Sequence, residues 1–92
     1  MRGCLIANWL GLAEGQSSKL GVVTSRKLGS APIRSRARRL LREAFRLHQH
    51  DFTRPVALVL VARSAIVGRR LGEVERDLLA LLKHARLLKE ST

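Results

Sequence analysis

The amino-acid sequence predicts a small α/β (α+β) protein, a two-layer sandwich of about three to four strands and two helices. Three observations carry that reading. Two stretches place apolar residues at spacings of three and four, the signature of amphipathic helices. Between and before them lie runs that are apolar, alternating or β-branched, as strands are. The order is strand, strand, helix, strand, helix, and 92 residues suffice for a single domain, residues 1–92.

The first strand is predicted over Cys4 to Leu12, an apolar run interrupted by Asn8 and Gly11 and followed by the turn "AEGQSS". One early arginine and a short apolar run faintly echo a signal peptide, but Asn8 and Trp9 interrupt the run and no small-residue cleavage site follows. The second strand, Lys19 to Ser25, alternates Leu20, Val22 and Thr24 against Gly21, Val23 and Ser25. The two runs are expected to pair as antiparallel neighbours. "RKLGSAP" is then a loop, with Ser30 as the N-cap of the first helix and Pro32 in its first turn, where a missing N–H costs little.

From Ile33 the apolar positions are Ile33, Ala37, Leu40, Leu41, Ala44, Phe45 and His48, which defines one face of a helix. "PVALVLVA", Pro55 to Ala62, is continuously apolar and is expected to be a strand covered on both faces. The last helix carries Leu71, Val74, Leu78, Leu81, Leu82, Ala85 and Leu88 on one side. Its acids, Glu73, Glu75 and Asp77, sit near the start, and Lys83, Arg86 and Lys89 near the end, which suits the helix dipole.

Charge is the dominant feature of the composition. The formal net charge is +11, and a compact chain carrying so much charge of one sign calls for a polyanionic partner. No apolar run reaches the roughly 18 to 20 residues of a membrane span. The basic helix also lacks the aromatic-rich apolar face of an interfacial one, so no membrane partner is expected. Cys4 is the sole cysteine, which excludes an internal disulfide and suits a reducing, cytoplasmic compartment.

Most of the charge lies in one place. "SAPIRSRARRLLREAFR", Ser30 to Arg46, holds six arginines and one acid. From Arg26 to Arg46 there are eight basic residues against Glu43, +7 of the chain's total. With Ile33 at zero and about 100° per residue, the apolar group spans roughly 320° through 120°. Arg38, Arg42, Arg46 and Arg39 then fall at roughly 140°, 180°, 220° and 240°, with Arg34 and Arg36 on opposite edges. Glu43 can pair with Arg39 or Arg46 and leaves the rest uncompensated. A merely solvated face would mix signs and could use Lys. A face made only of Arg presents planar forks suited to phosphate, so Arg26, Lys27, Arg34, Arg36, Arg38, Arg39, Arg42 and Arg46 are candidate nucleic-acid contacts.

The stretch "LGVVTSRKLGSAPIRSRARRLLREAFR" resembles the protein subunit of bacterial ribonuclease P. That family carries a strand like Gly-Val-x-Val-Ser, two basic residues, Gly-Asn-Ala-Val and an Arg-Asn-Arg helix. The counterparts here are Gly21 to Ser25, Arg26 and Lys27, Gly29 to Pro32, and Arg34, Ser35 and Arg36, followed by Arg38, Arg39 and Arg42. "VLVAR" and "EVERDLLALLKHA" are similar to the family's C-terminal half. The resemblance implies a mixed sheet with a left-handed βαβ crossover, an exception to the usual hand. It also implies an RNA-binding subunit without chemistry of its own. In that family a catalytic RNA, with bound Mg²⁺, cleaves the 5′ leader from precursor tRNA, so the implied partners are that RNA and precursor tRNA. No cofactor is implied on the protein itself.

The family's arginine helix docks on RNA, which adds Ser35 to the contacts, and a cleft between sheet and helix accepts the leader, for which Asn8 and Trp9 are the candidates, though as strand neighbours only one of them can face it. The chain departs from the family pattern at three points. Ser35 replaces an Asn, exchanging an amide for a single hydroxyl. No acid opens "PVALVLVA", where the family often has one. The family's basic, aromatic first helix also has no counterpart ahead of the first strand. This implies a start codon placed too late or a shortened variant, with weaker leader binding.

The remaining signals are bland. His48 and His50 in "HQHD" would point about 200° apart on a helix, which suits a frayed end and not a metal site. His84 is expected on the surface of the last helix. Trp9 could stack on a base, but with only three aromatics in the chain it is expected in the core. Cys4 is expected as a small core hydrophobe. Ser25, Ser64 and Thr24 have no base–acid partners for nucleophilic catalysis, and the seven acids form no evident carboxylate cluster for a metal nuclease. Residue chemistry alone leaves a general RNA- or DNA-binding module, such as a ribosome-associated protein, as the first alternative, and a membrane-surface protein using the basic helix as the second.

Overall fold

The structure, a computed structural model, describes residues 3–89; Met1 and Arg2, on which the signal-peptide echo and the question of the start turn, lie outside them. Strand β1 spans Leu5–Gly11, β2 Lys19–Val23 and β3 Val56–Ala62; helix α1 spans Ala31–His48 and α2 Leu71–His84. The element order is the one expected. The sheet is mixed, with the order β1-β3-β2. β1 runs antiparallel to β3, pairing Leu5 with Ala62 and Trp9 with Leu58, and β2 runs parallel to it, pairing Lys19 with Ala57 and Val23 with Val61. β2, α1 and β3 thus form a parallel βαβ unit.

The expected pairing of β1 with β2 does not occur. β3, the most continuously apolar run, takes the centre and offers ladder bonds on both sides, which pushes the other two to the edges. The seven residues Leu12 to Ser18 cross the roughly 10 Å between strands two places apart with length to spare. This connection is stitched to the start of β3: the Leu12 N–H donates to the Pro55 carbonyl (2.9 Å) and the Val56 N–H to Ser18 Oγ (3.1 Å).

Both helices pack on one side of the sheet. Register places Leu5 and Ala7 of β1, Leu20 and Val22 of β2, and Val56, Leu58, Leu60 and Ala62 of β3 on that side. Ala37, Leu41, Ala44 and Phe45 of α1 and Val74, Leu78 and Leu82 of α2 close over them, and the described residues bury no polar or charged residue. The opposite side carries Ile6, Asn8, Leu10, Lys19, Gly21, Val23, Ala57, Val59 and Val61 and faces outward. Val59, at the centre of β3, is 39% exposed, so β3 is covered on one face only, against expectation. Strand composition measures burial, and the centre of a three-stranded sheet is sheltered by its neighbours even when one face is open.

α1 begins as the sequence indicates. Ser30 is the N-cap and Pro32 lies in the first turn, although the Ser30 side chain makes no capping bond and only its carbonyl accepts, from the Arg34 N–H at 3.0 Å. α2 stops earlier than its apolar period suggests. Arg86 adopts φ 59°, in the left-handed region. The Leu87 N–H then reaches back to the Leu82 carbonyl (2.9 Å) and the Arg86 N–H to the Lys83 carbonyl (3.0 Å), a Schellman ending with Arg where Gly is usual. The turn buries Leu87 completely and lets Leu88 bridge to Phe52.

His48 is not frayed. It is the last residue of α1, with Nδ1 3.0 Å from Asp51 Oδ2 and Nε2 3.2 Å from Glu75 Oε2 on α2. Cys4 is the buried residue expected. Burial, then its hydrogen bond with the Asp77 carboxylate, pushes its thiol up to about 11.

Candidate nucleic-acid interface

The arginine face forms because α1 has only one way to lie on the sheet. Its buried stripe leaves Arg39, Arg42 and Arg46 exposed, Arg34 and Arg38 half-buried along one edge, and Arg36 exposed on the other. A shallow groove on the outer surface is lined by Ser35, Arg38, Arg39, Arg42, Glu43 and Arg46. Arg26 and Lys27 are brought up to the start of the helix by a 3-10 turn, Arg26–Leu28, anchored through buried Leu28. Gly29 closes that turn at φ 145°, where a Cβ would come within 2.9 Å of Ile33 Cδ1. The turn therefore packs directly onto the helix it precedes.

Three arginines are committed to contacts within the protein. The Arg36 Nη2 donates to the Arg69 carbonyl (2.7 Å), just before α2. Arg38 donates to Thr24 Oγ1 (2.9 Å) after β2 and to Ser35 Oγ (3.3 Å). The Arg46 guanidinium forks onto the Glu43 carboxylate, with Nε 3.1 Å from both oxygens. Hydrogen bonding to Arg46 holds the Glu43 carboxyl below its usual range, and the same bond raises Arg46. Arg34, Arg39 and Arg42 have no side-chain hydrogen bond or ion pair among the described residues. The face thus combines oriented forks at its margins with unpartnered ones along its length. Such a set can bind several phosphates spaced along a strand.

Ser35 lies within this groove and has its hydroxyl engaged by Arg38. Asn8 and Trp9 point to opposite sides of the sheet, as their alternation requires. Asn8 is exposed on the open side of the sheet opposite Val59. Trp9 points to the helix side but lies beyond the helices' cover, 41% exposed, with the Arg54 guanidinium over its ring at 5.3 Å from the centroid. It is not a core residue, because its place near the end of β1 outreaches α2. Thr24 and the Arg69 carbonyl, which fix Arg38 and Arg36, and Arg54, which covers Trp9, are contacts that sequence reasoning missed. None carries a local signal, since each acts on a partner distant in the chain. Among the described residues, no three His, Cys, Asp or Glu side chains cluster to hold a metal ion. No helix there is long and apolar enough to cross a membrane.

Residues 3–86 match the sequence family described as Ribonuclease P. The ribonuclease P protein component of Brevibacillus brevis is 34% identical over 79 residues, covering 85% of this chain and 63% of that protein. That of Pelotomaculum thermopropionicum is 42% identical over 69 residues, covering 75% and 62%. The chain spans about three fifths of the length of the curated relatives it matches. Among solved structures, the RNase P protein from Thermotoga maritima superposes with a TM-score of 0.78 at 25% identity, covering 91% of this chain and 79% of that one. The Staphylococcus aureus RNase P protein superposes at 0.82 and 22% identity, covering 97% and 81%, which supports the fold.

Proposed function

The chain belongs to the ribonuclease P protein family, and from that membership we propose that it is the RNA-binding subunit of ribonuclease P, assisting RNA-catalysed removal of the 5′ leader from precursor tRNA. The observation that carries this reading is the one-sided face of α1, where arginines stand along a whole helix with a single acid among them. Arg34, Arg39 and Arg42, with Arg26 and Lys27 at the helix start, take phosphates of the catalytic RNA, while Arg38 and Arg36 are held in place at the edges.

The protein's part is electrostatic. Neutralising phosphates lowers the repulsion between catalytic RNA and precursor tRNA, and it does so most where Mg²⁺ is scarce. The Mg²⁺ that supports cleavage belongs to the catalytic RNA in this reading. The open side of the sheet, with Asn8 among half-exposed apolar residues, is the surface offered to the leader, and Trp9 lies away from it. The complex works where its RNA is made, in the cytoplasm.

The test is cleavage of one precursor tRNA at low Mg²⁺ by the catalytic RNA alone, the protein alone and both together. Acceleration by the protein with no cleavage by protein alone is expected. Cleavage by the purified protein alone would move the chemistry out of the RNA. RNA binding without acceleration would reduce the chain to a general RNA-binding module.

A further inference from the structure

On the edge of the arginine face nearest α2 lies an apolar recess of about 190 Å³ for which the phosphate contacts give no reason. Ile33 and Ala37 of α1 form one wall, Ile66, Val67 and Gly68 of the turn after β3 form the other, and Arg36 stands beside them. Ile66 is buried and makes the floor, but Ile33 is 37% and Val67 46% exposed. Two aliphatic side chains thus face water across an opening next to a surface built for phosphate.

The rim is positive. Arg36 has its guanidinium fixed by the Arg69 carbonyl at 2.7 Å and keeps its other donors free. Arg69 and Arg70, both exposed, follow Gly68 directly, and Glu73 is paired with Arg69 at 2.8 Å. An occupant must therefore present a small apolar surface and a negative charge a few ångströms apart. An unpaired nucleotide does so, with the face of its base and its phosphate. The size fits one ring system, since an apolar cavity of about 150 Å³ accepts benzene. A base within a duplex is stacked on both faces and cannot enter, whereas an unstacked base in a loop or bulge can.

We infer that this recess receives the base of one unpaired nucleotide of the bound RNA, while Arg36 holds the adjoining phosphate. The inference rests on the RNA-binding reading above and adds to it a contact sensitive to base exposure. Phosphate contacts alone cannot distinguish a flipped base from a stacked one. The recess gives the chain a means of reading RNA shape at one position.

The experiment compares Val67→Ser and Ile33→Ser with Arg42→Ala, titrating each against the cognate catalytic RNA over a range of salt, with thermal melts confirming folding. Val67 is already partly in water, so Val67→Ser should melt near the wild type; Ile33 also packs against the Gly29 turn, so Ile33→Ser should melt slightly lower and Val67→Ser is the cleaner probe. Each should bind about fivefold more weakly at every salt concentration, as expected for losing a few tens of Å² of apolar contact. Their salt slope should stay that of the wild type, whereas Arg42→Ala should lower it by about 1. Base-specific chemical probing should show one unpaired nucleotide protected by the wild type and released by Val67→Ser. Wild-type binding that both serine variants reproduce, with no base released, would overturn the inference and leave the phosphate-binding reading intact. A wild type that binds no RNA would overturn both.

Discussion

α1 and α2 lie side by side on the same sheet face and bury similar apolar stripes, but their outer surfaces follow opposite rules. α2 is arranged for its own stability. Glu73 accepts the Arg70 N–H at its start (3.2 Å) and pairs with Arg69, while Lys83 and His84 stand at its end, all in the sense the helix dipole favours. α1 has no acid in its first turn, makes no side-chain cap, and carries Arg34 and Arg36 near the end where positive charge is least welcome. α1 follows the dipole only at its far end, where Arg46 and His48 stand, so the arginines along the rest of its outer face go beyond what its own stability uses and point to something outside the chain. In the proposed reading that partner of α1 is the phosphate backbone of RNA.

The largest effects should not distinguish the helices at all. Phe45→Ala in α1 removes a side chain 9% exposed and tilted against Phe52, at 5.7 Å between ring centroids; Leu78→Ala in α2 removes a fully buried one. These should cost about 3–5 and 2–5 kcal/mol respectively, much of the stability of so small a domain. Denaturant melts of the two variants check this, and a mild effect at either site would mean that its helix is not part of the shared core.

The outer faces should then separate the helices in binding. Arg42→Ala should leave the melt nearly unchanged and reduce the magnitude of the salt slope of RNA binding by about 1, from a wild-type value of about 4 to 5 if about six phosphates are neutralised. Arg76→Ala, an exposed arginine on α2, should change neither. Equal losses from both would make the attraction a matter of net charge and not of the face of α1.

The smallest effects concern the ends. Hydrogen bonding first to Arg69 and then to the Arg70 backbone holds the Glu73 carboxyl below its usual range. Its stabilising contribution is therefore present above the unfolded carboxylate pKa and lost as pH falls through the lower folded value. Glu73→Gln should melt slightly below the wild type at neutral pH and converge with it in acid. Ala31→Glu should do the reverse for α1, adding about 0.3–1 kcal/mol at neutral pH through the dipole while weakening RNA binding. If Ala31→Glu stabilised the protein and left RNA affinity untouched, the bare start of α1 would have no connection with its partner.

Periodicity alone located the strands and helices, the stripe from Ala37 to Phe45, and the arginines opposite it, because the side on which a side chain emerges follows from its position in its own helix or strand. It also identified the unusual sign of that face. What required the tertiary structure were contacts between residues far apart in sequence. The centre of the sheet went to β3 because two distant strands both pair with it. Trp9 left the core because α2 does not reach it. α2 ended at His84 because Leu88 meets Phe52 across the fold. Arg36 and Arg38 became fixed only when the Arg69 carbonyl and Thr24 arrived beside them. A local pattern determines which surface is buried, whereas pairing and anchoring depend on which hydrogen-bonding groups the folded chain brings within reach.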